Sequence, residues 1–202
     1  MFINKLSLSK RLLFAVSFVL TAFLGLSAFS LNNAFLASAD SEQHKRLKHY
    51  IYTLLTAADF SEDGMLSMPD DLAEPLFSTP NSGLYAQIVS GRQIVWQSPS
   101  ILGRFIALPE HPGAAKEQLS ALELESGVKL LNLAFGIIWE NERGQEFAYT
   151  INVSEDLNAI NKQKAQFQLS LWYWLGGTGL MLLVVQMLIL RWGLKPLHTV
   201  AG

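Results

Sequence analysis

Two uninterrupted apolar runs, Leu12 to Leu31 and Leu169 to Leu190, constrain this chain more than any other feature. Neither contains a Lys, Arg, Asp, Glu or His. A helix needs roughly 20 such residues to cross the hydrocarbon of a bilayer, and a surface helix of a soluble domain would carry a polar face instead. The pattern predicts membrane spans at 12–39 and 169–190, bracketing a central segment, 40–168, of ordinary globular composition.

Charge placement orients those spans. All 17 acidic residues lie between Asp40 and Asp156, whereas Lys5, Lys10, Arg11, Arg191 and Lys195 flank the apolar runs. Short flanks rich in Lys and Arg stay on the cytoplasmic side. Residues 1–11 and 191–202 are therefore expected in the cytoplasm, and 40–168 on the far side of a bacterial inner membrane, in the periplasm. The first run has a competing reading as a signal peptide, with Ala37-Ser38-Ala39 as its cleavage site. Its uncharged stretch extends from Leu12 to Ala39, beyond the roughly 7–15 residues of a signal core, which favours an uncleaved anchor. The outer segment holds 10 of the 15 basic residues against all 17 acidic ones. That balance disfavours nucleic acid and suits cations, basic peptides or small ligands. With no cysteine in the chain, disulfides and thiolate metal sites are excluded.

The outer segment reads as α+β with an antiparallel sheet. Leu47, Tyr50, Ile51, Leu54, Leu55 and Ala58 recur at helical steps, so 41–58 should be a helix continuing from the first span. The stretch 59–80 is turn-rich. Runs 84–89 and 93–96 around Ser90-Gly91-Arg92 predict a hairpin. Residues 98–113 read as loop and 114–125 as helix by composition. A second hairpin follows, from Val128 to Trp139 and from Phe147 to Val153, and Ser154 should then cap a helix whose first turn holds Glu155 and Asp156.

Three stretches carry a resemblance. They are the hairpin Leu84-Tyr85…Ile94-Val95-Trp96-Gln97, the strand end Tyr149-Thr150-Ile151-Asn152-Val153-Ser154-Glu155-Asp156-Leu157, and the membrane exit Leu190-Arg191-Trp192-Gly193-Leu194-Lys195-Pro196-Leu197. The chain resembles the periplasmic PAS-like (PDC) sensor regions of two-component sensor histidine kinases, the PhoQ-type among them, ending where a HAMP linker opens at Arg191, Lys195 and Pro196. The resemblance implies a homodimer, a cytoplasmic kinase region after Gly202 that uses ATP and magnesium, and a response regulator as partner. It assigns no catalytic residue and no cofactor to this chain. A chemoreceptor or cyclic-dinucleotide enzyme with the same input module, or a secreted binding module with a cleaved signal, stays open as an alternative. The stimulus, whether small ligand, ion or peptide, is not legible.

Candidate sites are few. Asp59, Glu62, Asp63, Asp70, Asp71 and Glu74 form an acidic stretch without Lys or Arg, a weak candidate for a patch where divalent cations meet lipid headgroups; a solvated loop is the plainer reading. PhoQ-type cation sensors carry a denser acidic run. In the first span Ser17, Thr21, Gly25, Ala28 and Asn32 form a stripe of small or polar residues suited to helix packing. In the second, Thr178 and Gln186 are the polar positions, and an amide in hydrocarbon calls for a partner. His44 and His49 are five apart and share no helix face. His111 lies in a Pro-rich loop, and His198 lacks phospho-acceptor surroundings. Phosphate-binding, nucleophile-elbow and zinc motifs do not occur.

Overall fold

The computed structural model describes residues 8–61, 63, 65–106, 112–124 and 126–193. Helix α1 (Leu8–Ala57) is followed by a short ladder of β1 (Asp59–Phe60) and β2 (Leu66–Ser67). Then come β3 (Leu84–Ser90), β4 (Gln93–Gln97), β5 (Glu117–Glu123), β6 (Lys129–Glu140), β7 (Glu146–Asp156) and helix α2 (Leu157–Gly193). Strands β3 to β7 form one antiparallel sheet in the order β4-β3-β7-β6-β5. The fold is α+β, an antiparallel sheet flanked in sequence by two long apolar helices. The chain divides into two compact units. One comprises the chain up to Ser38 together with the chain from Gln163 onward; the other is Ala39–Lys162.

Turn chemistry sets the two hairpins of the sheet. The β3–β4 turn needs a left-handed residue and has Gly91 there, at φ 60°. In the β6–β7 turn, Asn141 Oδ1 accepts from the backbone N–H groups of Arg143 (3.0 Å) and Gln145 (2.8 Å). That is the local loop an Asx residue closes.

Alternation along the strands builds two unlike faces. One face presents Ala86, Ile88, Leu133, Ile151 and Val153, and the apolar stripe Leu47, Ile51 and Leu54 of α1 packs on it. These three helix side chains are at most 2% exposed, and burying each contributes about 1.5–3 kcal/mol before entropy is subtracted. Aromatic contacts extend the layer: Tyr50 meets Phe77 edge-on at 5.7 Å, and Phe60 stacks on Trp139 at 5.6 Å. Burial on this face raises the phenol pKa values of Tyr50 and Tyr149. The opposite face holds a smaller apolar cluster of Tyr85, Ile101, Ile106, Leu124 and Leu130.

Two sequence expectations fail here. The expected helix at 114–125 does not form, since its described residues, 114–124, are not helical. Their centre is the edge strand β5, paired from Glu117↔Phe135 to Glu123↔Lys129. The helix formers Lys116, Gln118, Leu119 and Leu122 are overruled by a full ladder on β6, since strand preference follows context. Nor does Ser154 cap a helix. Ser154, Glu155 and Asp156 extend β7, held by Tyr85, Leu84 and Leu130 as register partners. The cap of α2 falls to Asp156, whose Oδ1 accepts from Asn158 N–H at 2.8 Å.

Candidate functional site

Within the Ala39–Lys162 unit, two ionic ties join α1 to the sheet. Arg46 donates twice to Glu155, Nε to Oε1 at 3.1 Å and Nη2 to Oε2 at 2.9 Å. Gln43, 3% exposed, adds Nε2 to Oε2 at 3.4 Å. Glu155 stands two residues before α2 begins. The second tie is at the far edge of the sheet, where Glu117 on β5 bonds Lys48 and lies 3.4 Å from His44 Nε2. The Lys48 ammonium holds the Glu117 carboxyl below its usual range, and Glu117 in return raises Lys48. Glu42 lies one turn before Arg46, at a spacing that suits a helix ion pair, yet the hydrogen-bonded partner of Arg46 is Glu155, 109 residues on. No local pattern announces a contact at that separation.

The acidic stretch is anchored rather than gathered. Phe60 packs beneath Trp139 and Tyr149, and Leu72 is buried. Ser61 and Met65 close the intervening turn with Ser61 N–H to Met65 O at 3.0 Å. Asp59, Asp63, Asp70 and Asp71 are exposed and Glu74 is half-buried, and Glu62 lies outside the described residues. Glu74 Oε1 accepts from Leu76 N–H at 3.2 Å, capping a 3-10 turn at Pro75–Phe77. Among the described residues, no three His, Asp or Glu side chains are grouped to hold a metal ion.

In the other unit, α1 and α2 run side by side and antiparallel. Gln186 Nε2 reaches Leu13 O at 3.4 Å, Gln168 Nε2 reaches Asn32 Oδ1 at 3.3 Å, and Phe35 stacks on Phe167 at 3.7 Å. A Cβ added at Gly179 would sit 3.2 Å from Leu24 Cδ1, so the glycine permits the approach. Of the small-residue stripe, Ser17, Ala28 and Asn32 are at least half-buried, while Thr21 and Gly25 are exposed. Both line a lateral groove of about 410 Å³ with Trp172 and Gly176. Thr178 is exposed and donates to its own helix, Oγ1 to Trp174 O at 2.7 Å. Both helices are long and apolar enough to span a membrane. Arg191 falls in the last residues of α2; Lys195, Pro196, His111 and His198 lie outside the described residues.

The chain is similar to the two-component sensor PhoQ of Pseudomonas aeruginosa, with 25% identity over 194 residues. The match covers 95% of this chain and 42% of that relative. No protein-family model matches the chain, and no solved structure matches it.

Proposed function

We propose that this chain is the sensing and membrane-spanning part of a two-component sensor histidine kinase. The observation that carries this reading is the extent of the match to the Pseudomonas sensor, which takes in both apolar helices and the sheet domain together. The domain at 39–162 acts as a PAS-like sensor in the periplasm, and the residues from Arg191 onward open a HAMP-type linker. Aromatic residues support the membrane placement. Trp172, Tyr173 and Trp174, near the start of the apolar run at 169–190, are at least 70% exposed, and Trp192, just past its end, is 78% exposed. The separation of Tyr173 and Trp192 along α2 is about 28 Å at ~1.5 Å per residue, close to the thickness of the hydrocarbon layer. Aromatic rings favour both of its boundaries.

Signalling in this reading is mechanical. A stimulus that binds one packing of the domain more tightly than another shifts the population of both. Because Glu155 lies at the mouth of α2 and is held by α1, a change in that grip reaches both spans. The working unit is a homodimer, and its kinase region takes ATP and magnesium and passes phosphate to a response regulator.

The test is a chimera in which residues 1–202 replace the matched portion of the Pseudomonas sensor, read by autophosphorylation in membrane vesicles. The reading expects kinase activity that responds to substitutions in the sheet domain. A chimera that inserts correctly, yet whose activity ignores every change at 39–162, rejects it. Protease added to spheroplasts should also cut the sheet domain and spare the termini.

A further inference from the structure

Gly176, Gly177 and Gly179 put three glycines within about one turn of α2, inside the second apolar run. Glycine in a membrane helix commonly marks a close approach of backbones. Gly179 fits that account, because a Cβ there would lie 3.2 Å from Leu24 Cδ1 of α1. Gly176 and Gly177 do not. A Cβ added at either would meet nothing within 4 Å. Among the described residues no packing contact calls for them, and glycine is the weakest helix former after proline. The helix is loosened a second time at the same place. Thr178 Oγ1 donates to Trp174 O at 2.7 Å, a bond that spans both glycines. Such a side-chain bond to the preceding turn competes with the helix ladder and bends helices.

The ties between α1 and α2 differ on the two sides of Gly176-Gly177. Before the glycines, α2 is pinned to α1 by two adjacent residues. Phe167 stacks on Phe35 at 3.7 Å, and Gln168 Nε2 donates to Asn32 Oδ1 at 3.3 Å. After them, towards Trp192, the described polar tie is one amide, Gln186 Nε2 to Leu13 O at 3.4 Å, and it leaves Gln186 Oε1 without a partner. Beside Gly176 the groove of about 410 Å³ opens, walled by Thr21 and Gly25 on α1 and by Leu180 and Leu183 on α2. Lipid chains fill such a space in a bilayer, and they yield to a moving helix as close-packed side chains do not. Sharp bends in helices fall at glycine pairs and at side chains that insert into the ladder. Here a glycine pair, a back-bonded threonine and free space coincide.

We propose that α2 carries a hinge at Gly176-Gly177. The segment before it is held on α1 by Phe167 and Gln168, and the segment after it swings, opening and closing the groove beside Gly176. The hinge belongs to the helix pair and stands on these contacts alone. Its use in signalling rests on the sensor reading, in which the swing is the movement delivered to the residues from Arg191 onward.

The test uses the full chain in lipid nanodiscs. The chain contains no cysteine, so spin labels attach only where cysteines are introduced. One pair, Phe14→Cys with Ile189→Cys, reports the segment after the glycines. The other, Ala34→Cys with Leu169→Cys, reports the segment before them, and all four positions are exposed. Labelled chains are diluted with unlabelled ones, so that double electron–electron resonance reads distances within one chain. The proposal expects a broad or two-peaked distribution for the first pair and a narrow one for the second. Gly176→Ala/Gly177→Ala, which strengthens the helix without a clash, should narrow the first and leave the second alone. A first pair as narrow as the second in the wild type would overturn the hinge, and so would a broad first pair that the alanines do not narrow. Loss of self-association in the alanine variant with distances unchanged would also overturn it, assigning the glycines to contact with a second copy. In the chimera, the alanine variant should keep kinase activity and lose its response to sheet-domain substitutions; an unaltered response would overturn the signalling role. A wild-type chimera that lacks the response counts against the sensor reading, and the distances then decide the hinge by themselves.

Discussion

Arg46 clasps Glu155 through two hydrogen bonds, joining the C-terminal part of α1 to the end of β7, just before α2. The fork of a guanidinium matches a carboxylate edge, which makes such pairs geometrically specific as well as strong. Glu155 raises the pKa of Arg46, first through this hydrogen bond. The pair is partly shielded, with side chains 35% and 18% exposed. It is worth more than a surface ion pair and less than a fully buried one.

Arg46→Ala should cost about 2 kcal/mol of domain stability, and Glu155→Gln somewhat less because Gln43 and Arg46 keep an acceptor. The double variant should cost less than the sum of the two. Chemical unfolding of the four proteins completes the cycle, and strict additivity would show that the two side chains do not interact.

Glu117 makes an acid-dependent contribution. Lys48, through its hydrogen bond, lowers the folded pKa of Glu117 below 4.5. A depressed carboxyl favours the native state above its unfolded pKa, and that gain is lost as pH falls through the folded value. Lys48 carries the opposite sign: its raised pKa favours the fold at neutral pH and is lost above the usual lysine range. Melting temperatures of wild type and Glu117→Gln should therefore differ at pH 7 and converge as pH falls below the usual carboxylate range. A gap that stays constant with pH would remove the ionic explanation. The gap itself should be small, since both groups meet solvent.

Gly136 sits where the chain entering β5 crosses β6. A Cβ there would meet Gly113 O at 2.6 Å and Pro112 O at 2.8 Å. Both obstacles are backbone, so no side-chain rotation relieves the clash. The crossing is fixed by Ala115 N–H to Gly136 O at 2.8 Å and Gly136 N–H to Lys116 O at 3.1 Å. Gly136→Ala should lower stability by about 1–3 kcal/mol, the usual cost of overpacking, and amide exchange should rise first at Ala115 and Gly136. Unchanged exchange at those two amides would mean the crossing is looser than its hydrogen bonds imply.

How far the sequence revealed this arrangement depended on whether each signal was local. The hairpin at 84–97 was legible because Gly91 and two β-prone runs lie within a few residues of each other. The Leu47–Ile51–Leu54 face was legible because its spacing is that of one helix. Strand β5 was not, since Glu117–Glu123 is rich in helix-compatible residues and becomes a strand only by pairing with β6. The Glu155 clasp was equally hidden. It arises from a contact between α1 and β7, elements far apart in sequence, which no local pattern sets. The acidic stretch is a compositional signal of another kind: it invites a cation patch, but among the described residues no three His, Asp or Glu side chains are grouped, and Glu74 accepts from its own turn.

Gln186 offers the last prediction, because its two amide atoms are in different situations. Nε2 reaches Leu13 O at 3.4 Å, while Oε1 is buried without a partner. It borders a groove of about 360 Å³ walled by Leu12, Val16, Leu20, Val185 and Ile189. Neither those side chains nor lipid can donate a hydrogen bond, and an unpaired carbonyl in hydrocarbon is unfavourable. A second copy of the chain would supply both the donor and the missing wall. Gln186→Leu should therefore weaken self-association in liposomes by about 1 kcal/mol, several-fold in dimer dissociation, when energy transfer is measured between separately labelled full chains. Melting of the 39–162 domain should not move. If association is unchanged, the amide serves its intrachain contact with Leu13 alone, and the partner helix must be sought along the Thr21 and Gly25 groove instead.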